Sequence, residues 1–283
     1  MVSSRVIVLP LFPICYEDKK EIGKTGEKIS AIGLGTWNIR DRSRAIEALV
    51  YAVENGIDNI DTAEMYGDGL AEEIVGEVVK RVGRDQVFVT TKLLPHRFRS
   101  RDLAEKAMRA SLSRLGLSQV DLVLIHWPDS LVDIKSQIEA LEYLAEKGYT
   151  RHIGVSNFEV SQLEEALVST RKYEIVVDQV RYSVVYRQPE KRLIPYAVDH
   201  GITIQAYTPI ERGSVSRLEL LTRIGEKYGK TPVQVALNYV ISRPRIIAIP
   251  KTEKKHRVEE FLGAMGWRLS PEDLELLERA RVL

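Results

Sequence analysis

Four polar side chains are of types that together could make a proton donor: Asp61, Tyr66, Lys92 and His126. Asp61 and Tyr66 fall within the run Gly56 to Gly67, Lys92 ends the apolar run that begins at Val87, and His126 ends the run Asp121 to Ile125 and precedes Trp127 and Pro128. Three of the four lie at the ends of short buried strands, with Tyr66 in the loop after one of them. In a barrel of parallel strands, that edge carries the chemistry. A free phenol titrates near about pH 10, too high for easy proton donation at neutrality. A neighbouring ammonium stabilises the phenolate, so Lys92 is expected to lower the Tyr66 pKa. Asp61 would pair with Lys92 and hold it charged. His126 would hydrogen-bond a bound substrate or assist proton transfer. Taken singly, Asp61 and Lys92 also suit a structural ion pair, Tyr66 a surface loop, and His126 a core position.

The elements around these residues alternate. Lys19 to Ile32 reads as two short segments split by Gly23 and Gly26, a β-hairpin. After it, apolar strands ending near Leu34, Asp61, Lys92, Trp127, Asn157, Val180, Tyr207 and Pro250 are separated by amphipathic helical runs. Ile46, Leu49, Val50 and Val53 mark one helical face, and Ile134, Ile138, Leu141 and Ala145 another. Ser100 reads as the cap of a helix running to Leu115, with Gly116 as its stop; Gly148 and Gly229 are similar stops, and Pro232 opens a helix to Ile241. Gly263 to Leu283 reads mostly as a last helix capped by Ser270. Eight strands with no linker between them predict an α/β chain folded as a single (β/α)8 TIM barrel over residues 17–283, after an extension at 1–16.

The bulk properties exclude several classes. The 283 residues are 44% hydrophobic and 29% charged with net charge +1, which gives no electrostatic case for nucleic acid or an anionic membrane. Cys15 is the single cysteine, no ligand cluster suggests a metal, and a reducing, cytoplasmic setting fits. No apolar run is long enough to span a bilayer. Val6 to Cys15 follows Arg5 like a short signal sequence, but Pro10 and Pro13 interrupt it and no small-residue cleavage site follows. It reads instead as an extra strand on the closed end of the barrel, or as a start site placed too early. Few Asn and Gln beside many Lys, Arg and Glu lean toward a thermophilic source. A monomer or weak oligomer acting on a small molecule is expected.

Gly33 to Trp37, Asp61 to Ala63, Ile153 to Phe158, Gln179, Ala206 with Tyr207, and Ile249 to Thr252 occur in an order that resembles the aldo-keto reductase family. The resemblance covers about residue 20 onward. It implies that the hairpin plugs the barrel bottom and that NADPH is the cofactor. Gly35, Thr36, Trp37 and Asp61 would flank the cofactor. Ser156, Asn157 and Gln179 would clamp the nicotinamide carboxamide, Tyr207 would stack on its ring, and Thr208, Pro209 and Ile210 would continue the site. Lys251, Thr252 and Arg257 would grip the 2′-phosphate, favouring NADPH over NADH, and Glu260 would lie near the adenine. Phe261 departs from the family pattern, which usually has Asn there, so adenine recognition would lose a hydrogen bond or use stacking. No Gly-x-Gly-x-x-Gly leads a helix, which argues against a Rossmann site.

Trp37 and Trp127 are expected at the substrate mouth with Tyr66 and His126, and Met65 and Ile39 are weaker candidates. The short segments after Trp127 and Arg257 predict an open pocket for small aldehydes, ketones, dicarbonyls or sugar-derived carbonyls. A second class stays in view: a slow, NADPH-binding redox sensor that regulates a partner on the same fold. A barrel hydrolase or isomerase would have to use Glu64 and Asp68, which have no local His partner.

Overall fold

The computed structural model describes residues 12–280. The chain opens on an antiparallel hairpin, β1 (Lys19–Glu21) and β2 (Lys28–Ser30). The alternation then begins with β3 (Leu34–Gly35), α1 (Arg42–Glu54), β4 (Asn59–Asp61), α2 (Leu70–Val82), β5 (Phe88–Leu93), α3 (Arg101–Leu115) and β6 (Val120–Ile125). It continues through α4 (Ile134–Glu146), β7 (Thr150–Ser156), α5 (Val160–Ser169), β8 (Ile175–Arg181), α6 (Leu193–Asp199) and β9 (Thr203–Tyr207). It ends with α7 (Glu219–Tyr228), α8 (Pro232–Ile241), β10 (Ile246–Ile249), α9 (Lys255–Leu262) and α10 (Pro271–Arg279).

Strands β3 to β10 pair in sequence order, all parallel. The sheet closes on itself: the Gly33 and Gly35 amides donate to the Ala248 and Pro250 carbonyls at 2.8 and 2.9 Å, and the Ala248 amide donates to the Ala31 carbonyl at 2.9 Å. This is the (β/α)8 barrel the alternation predicts. Gly33 is required at the seam because a Cβ there would lie 1.7 Å from Asn59 Oδ1.

Alternation along the strands sends every second side chain into the barrel. Phe88, Thr90 and Lys92 share one face of β5, since side chains on a strand repeat every two residues. Phe88, Leu122, Leu124, Val177, Ile247 and Ile249 pack with Ile22 and Ile29 of the hairpin, apart from the larger core between sheet and helices. The hairpin is fixed there by Gly23 N–H donating to Thr203 Oγ1 at 3.0 Å and Ser30 N–H donating to Asp58 Oδ1 at 2.7 Å.

Helix ends follow the local chemistry. Ser100 accepts from Leu103 N–H at 3.2 Å to start α3, and Gly116 ends it at φ 65°. Thr231 and Gln234 form a capping box at α8, with Pro232 at its first position. On α1 the buried stripe is Ala45, Ile46, Ala48, Leu49 and Ala52, while Val50 and Val53 are only partly buried. The buried stripe is thus turned toward the alanines from the one expected. The last helix starts where Ser270 caps it, as expected; Gly263 to Leu269 before it is not helical, and Arg268 there donates to the Cys15 and Glu17 carbonyls at 2.7 and 2.8 Å. Of the expected N-terminal strand, residues 6–11 lie outside the described residues and 12–15 form no strand. Among the described residues, no helix is long and apolar enough to cross a membrane.

Candidate active site

The four residues singled out by type and spacing come together at the C-terminal edge of the barrel. Asp61 ends β4 and Lys92 lies in β5 one strand over. Lys92 Nζ donates to Asp61 Oδ1 and Oδ2 at 2.7 and 2.8 Å and to the Thr62 carbonyl at 2.8 Å. The pair is fully enclosed. Burial opposes the ammonium charge, but Asp61 and then Tyr66 more than offset it, so the Lys92 pKa is raised.

Tyr66 lies in the loop before α2 with Lys92 Nζ 4.8 Å from its ring centroid and the His126 ring edge-on at 5.7 Å. Its pKa is raised, not lowered as the sequence alone suggested. Burial is the largest cause; the Lys92 charge works against it, while Asp61 offsets part of that charge. The resting group is therefore a protonated phenol. Burial, helped by the Lys92 charge, lowers His126 to about 3, so its imidazole is neutral. His126 Nδ1 is buried with no hydrogen-bond partner among the described residues. The ring also meets Trp127 at 4.8 Å between centroids.

Beside the four runs a connected polar chain. Gln179 Nε2 donates to Asp61 Oδ1 at 2.7 Å and to Gln205 Oε1 at 3.0 Å, which occupies both of its N–H groups and leaves its carbonyl oxygen as the free end. Ser156 Oγ donates to the main-chain carbonyl of Gln179 at 2.8 Å, leaving the side-chain Oε1 free, and accepts from Asn157 Nδ2 at 3.0 Å. Asn157 has a left-handed backbone, φ 60°. Its amide also donates to the His126 carbonyl at 3.1 Å and accepts from the Tyr207 hydroxyl at 2.8 Å. Thr36 is buried and gives both its N–H and its hydroxyl to the Asp61 carbonyl, at 3.0 and 2.9 Å. Gly35 belongs to the barrel seam. Thr208, with φ 55°, begins the turn that carries Pro209 and Ile210 away from β9. A cleft of about 280 Å³ opens between Trp37, Ile39, Met65, Tyr66 and Leu70. Trp37 and Trp127 are exposed at 48% and 38%.

Lys251, Thr252 and Arg257 gather after β10, beside the start of α9. Both cations already have carboxylate partners. Lys251 pairs with Glu253 and donates to the Asn38 carbonyl at 3.0 Å; Arg257 pairs with Glu260 at 2.5 Å. Glu260 also accepts from Thr231 Oγ1 at 2.8 Å. Phe261 is 1% exposed and belongs to the main core, so its ring offers no surface for stacking. Glu64, weighed for acid–base work, is instead a structural clamp that accepts from Leu94 N–H at 2.7 Å and from Arg97 at 3.2 Å.

Sequence reasoning missed Gln205 and Arg212. Gln205 carried a signal: a polar residue in a buried strand, in register with Gln179. Arg212, whose guanidinium lies 5.2 Å from the Trp37 ring centroid, reaches the mouth only through a turn that no local pattern announces.

A closed parallel barrel with a buried ammonium–carboxylate pair, a phenol and an imidazole at its C-terminal edge defines a barrel-type carbonyl oxidoreductase. The sequence profile of the Aldo/keto reductase family matches residues 31–281, and the chain belongs to that family. It is 34% identical to the glyoxal reductase of Bacillus subtilis (strain 168) over 89% of each chain, and 31% identical to the methylglyoxal reductase DkgB of Escherichia coli O157:H7 over 87% of this chain and 90% of that one. Among solved structures, an aldo/keto reductase from Klebsiella pneumoniae in complex with NADP and acetate superposes with a TM-score of 0.87 at 31% identity, covering 93% of this chain and 95% of that one. A thermostable aldo-keto reductase in complex with the inhibitor epalrestat gives 0.87 at 36% identity, covering 92% and 98%.

Proposed function

We propose that this chain is an NADPH-dependent reductase of small aldehydes, ketones and dicarbonyls, with residues 17–283 as one catalytic unit and Tyr66 as the proton donor. The observation that carries the reading is the Tyr66 ring held between the Lys92 ammonium and the neutral His126 imidazole, on the wall of a cleft that opens past Trp37. The glyoxal and methylglyoxal reductases among the relatives favour short dicarbonyls.

The donor set along β7 to β10 suits a nicotinamide dinucleotide phosphate. The free carbonyl oxygen of Gln179, with Ser156 and Asn157, would hold a carboxamide; the half-buried Tyr207 ring would face a planar ring; Lys251, Thr252 and Arg257 would hold a phosphate. The bound cofactor supplies the hydride. The protein supplies the rest. Tyr66 keeps its proton at neutral pH and releases it when an alkoxide forms beside it. Lys92 stabilises the phenolate left behind, and Asp61 keeps Lys92 charged and in place. A neutral His126 donates one hydrogen bond to the substrate oxygen, which fits the proton on Nε2 and a bare acceptor at the unpartnered Nδ1.

The test is NADPH oxidation with glyoxal, methylglyoxal and a panel of small aldehydes, beside the same reactions with NADH. Turnover that prefers NADPH is expected. Tight NADPH binding without turnover of any panel member would favour the redox-sensing alternative.

A further inference from the structure

We propose that Glu253 is a positioning residue that, with Lys251, fastens the Trp37 to Ile39 wall of the cleft to the segment suited to the cofactor 2′-phosphate, so that NADPH orders the substrate cleft more firmly than NADH. The inference rests on the reductase reading and adds to it a link between the nucleotide phosphate and the substrate.

Trp37, Asn38 and Ile39 line the cleft beside Tyr66. They leave β3 at the barrel seam, where Gly35 pairs with Lys251 just past the end of β10. The carboxylate of Glu253 reaches back across that seam. Its Oε1 accepts from the Arg40 N–H and its Oε2 from the Asp41 N–H, each at 3.0 Å, and it pairs with the Lys251 ammonium. Lys251 donates in turn to the Asn38 carbonyl at 3.0 Å. Ile39 is therefore bracketed by held residues, Asn38 on one side and Arg40 and Asp41 on the other.

Its surroundings set this clasp apart from an ordinary surface ion pair. The Glu253 side chain is only 13% exposed, and the two N–H groups it holds lie at the start of α1, where the positive end of the helix dipole favours an anion. Burial opposes its charge, but Lys251 and the two N–H groups outweigh it, so the Glu253 pKa is lowered. An ammonium has three N–H groups. Among the described residues, Glu253 and the Asn38 carbonyl engage two of those on Lys251, and the third is left for a phosphate oxygen. A phosphate there would fix the ammonium and, through it, the Asn38 carbonyl. NADH carries no such phosphate. One nucleotide would thus order the cleft wall and the other would not, and by linkage the phosphate and the substrate strengthen each other's binding.

The experiment reads hydrogen exchange at the Arg40 and Asp41 amides in the wild type, Glu253→Ala and Glu253→Gln, each free, with saturating NADP+ and with saturating NAD+. In the free protein Glu253→Ala is expected to lose about tenfold or more of the protection at both amides, and Glu253→Gln, which keeps one acceptor oxygen, to lose less. In the wild type NADP+ should protect them about fivefold or more beyond NAD+, and that difference should vanish in Glu253→Ala. In steady state the KM of methylglyoxal is expected to be about fivefold or more lower with NADPH than with NADH, and the gap to close in Glu253→Ala. Equal protection by the two nucleotides in the wild type, protection that falls as NADP+ binds, or a KM gap that Glu253→Ala leaves intact would overturn the proposal. Each of these leaves the reductase reading standing, because turnover is still seen. Absence of turnover with any carbonyl removes that reading instead, and the exchange comparison of NADP+ with NAD+ then decides the clasp alone.

Discussion

The Lys92 ammonium and the Asp61 carboxylate form a bidentate pair, 2.7 and 2.8 Å, with neither side chain more than 5% exposed. Removing one partner of such a pair strands the other charge in a low-dielectric interior, at a cost of about 3–5 kcal/mol. Lys92→Met is therefore expected to be markedly destabilised. The double variant Asp61→Asn with Lys92→Met should regain much of that stability without regaining activity. Denaturant midpoints and NADPH turnover of the three proteins separate the two effects. Activity recovering together with stability would show that the pair serves the fold alone.

The shifts at Tyr66 and His126 set the pH profile. An acid whose folded pKa is raised stays protonated, so Tyr66 remains a competent donor through neutrality and beyond. His126, at about 3, is neutral throughout the same range. The reduction rate is thus expected to be nearly flat from about pH 5.5 to 9, and to fall only as the phenol ionises. A limb of kcat with an apparent pKa near about 6.5 that vanishes in His126→Gln would contradict the neutral imidazole.

Arg257 is held by Glu260 and would exchange or share that partner with a phosphate. Arg257→Ala is expected to weaken NADPH binding about tenfold or more and to leave NADH binding almost unchanged, because a guanidinium–phosphate contact is charge-assisted and bidentate. Titration of both nucleotides by fluorescence reads this directly. Equal weakening of both would place the residue outside the 2′-phosphate site.

Asp178 is fully buried on β8, with neither carboxyl oxygen well hydrogen-bonded among the described residues. Burial raises it from 3.8 to about 8, only partly opposed by the Phe158 N–H. The folded protein therefore holds a proton that the unfolded chain has lost, and stability falls as pH rises from about 4 to 8. The full effect is at most on the order of 5 kcal/mol. Asp178→Asn is expected to flatten this fall, becoming more stable relative to the wild type at pH 8.5 than at pH 5. Parallel midpoints at the two pH values would show that Asp178 is charged in the fold.

Much of this architecture is legible in the chain because the signals are local. Strand–helix alternation, the Ser100, Thr231 and Ser270 caps and the Gly116 stop all act within a few residues. The tetrad was legible because each member ends a strand or follows one, and closure of a parallel barrel brings those ends together. Long-range cancellation was not legible. The Tyr66 direction depends on how burial weighs against a Lys92 charge already shared with Asp61. The engagement of Lys251 by Glu253, the withdrawal of Phe261 into the core and the reach of Arg212 to Trp37 depend on loop paths that no periodicity encodes.

The most direct test of the account is Tyr66→Phe, a change that removes one hydroxyl and leaves the ring between Lys92 and His126. Steady-state reduction of methylglyoxal by NADPH should fall about 100- to 10,000-fold in kcat, the usual share of a positioned general acid, while NADPH affinity stays near that of the wild type. A variant that binds NADPH normally and keeps more than about a tenth of the wild-type kcat would show that the proton comes from another group.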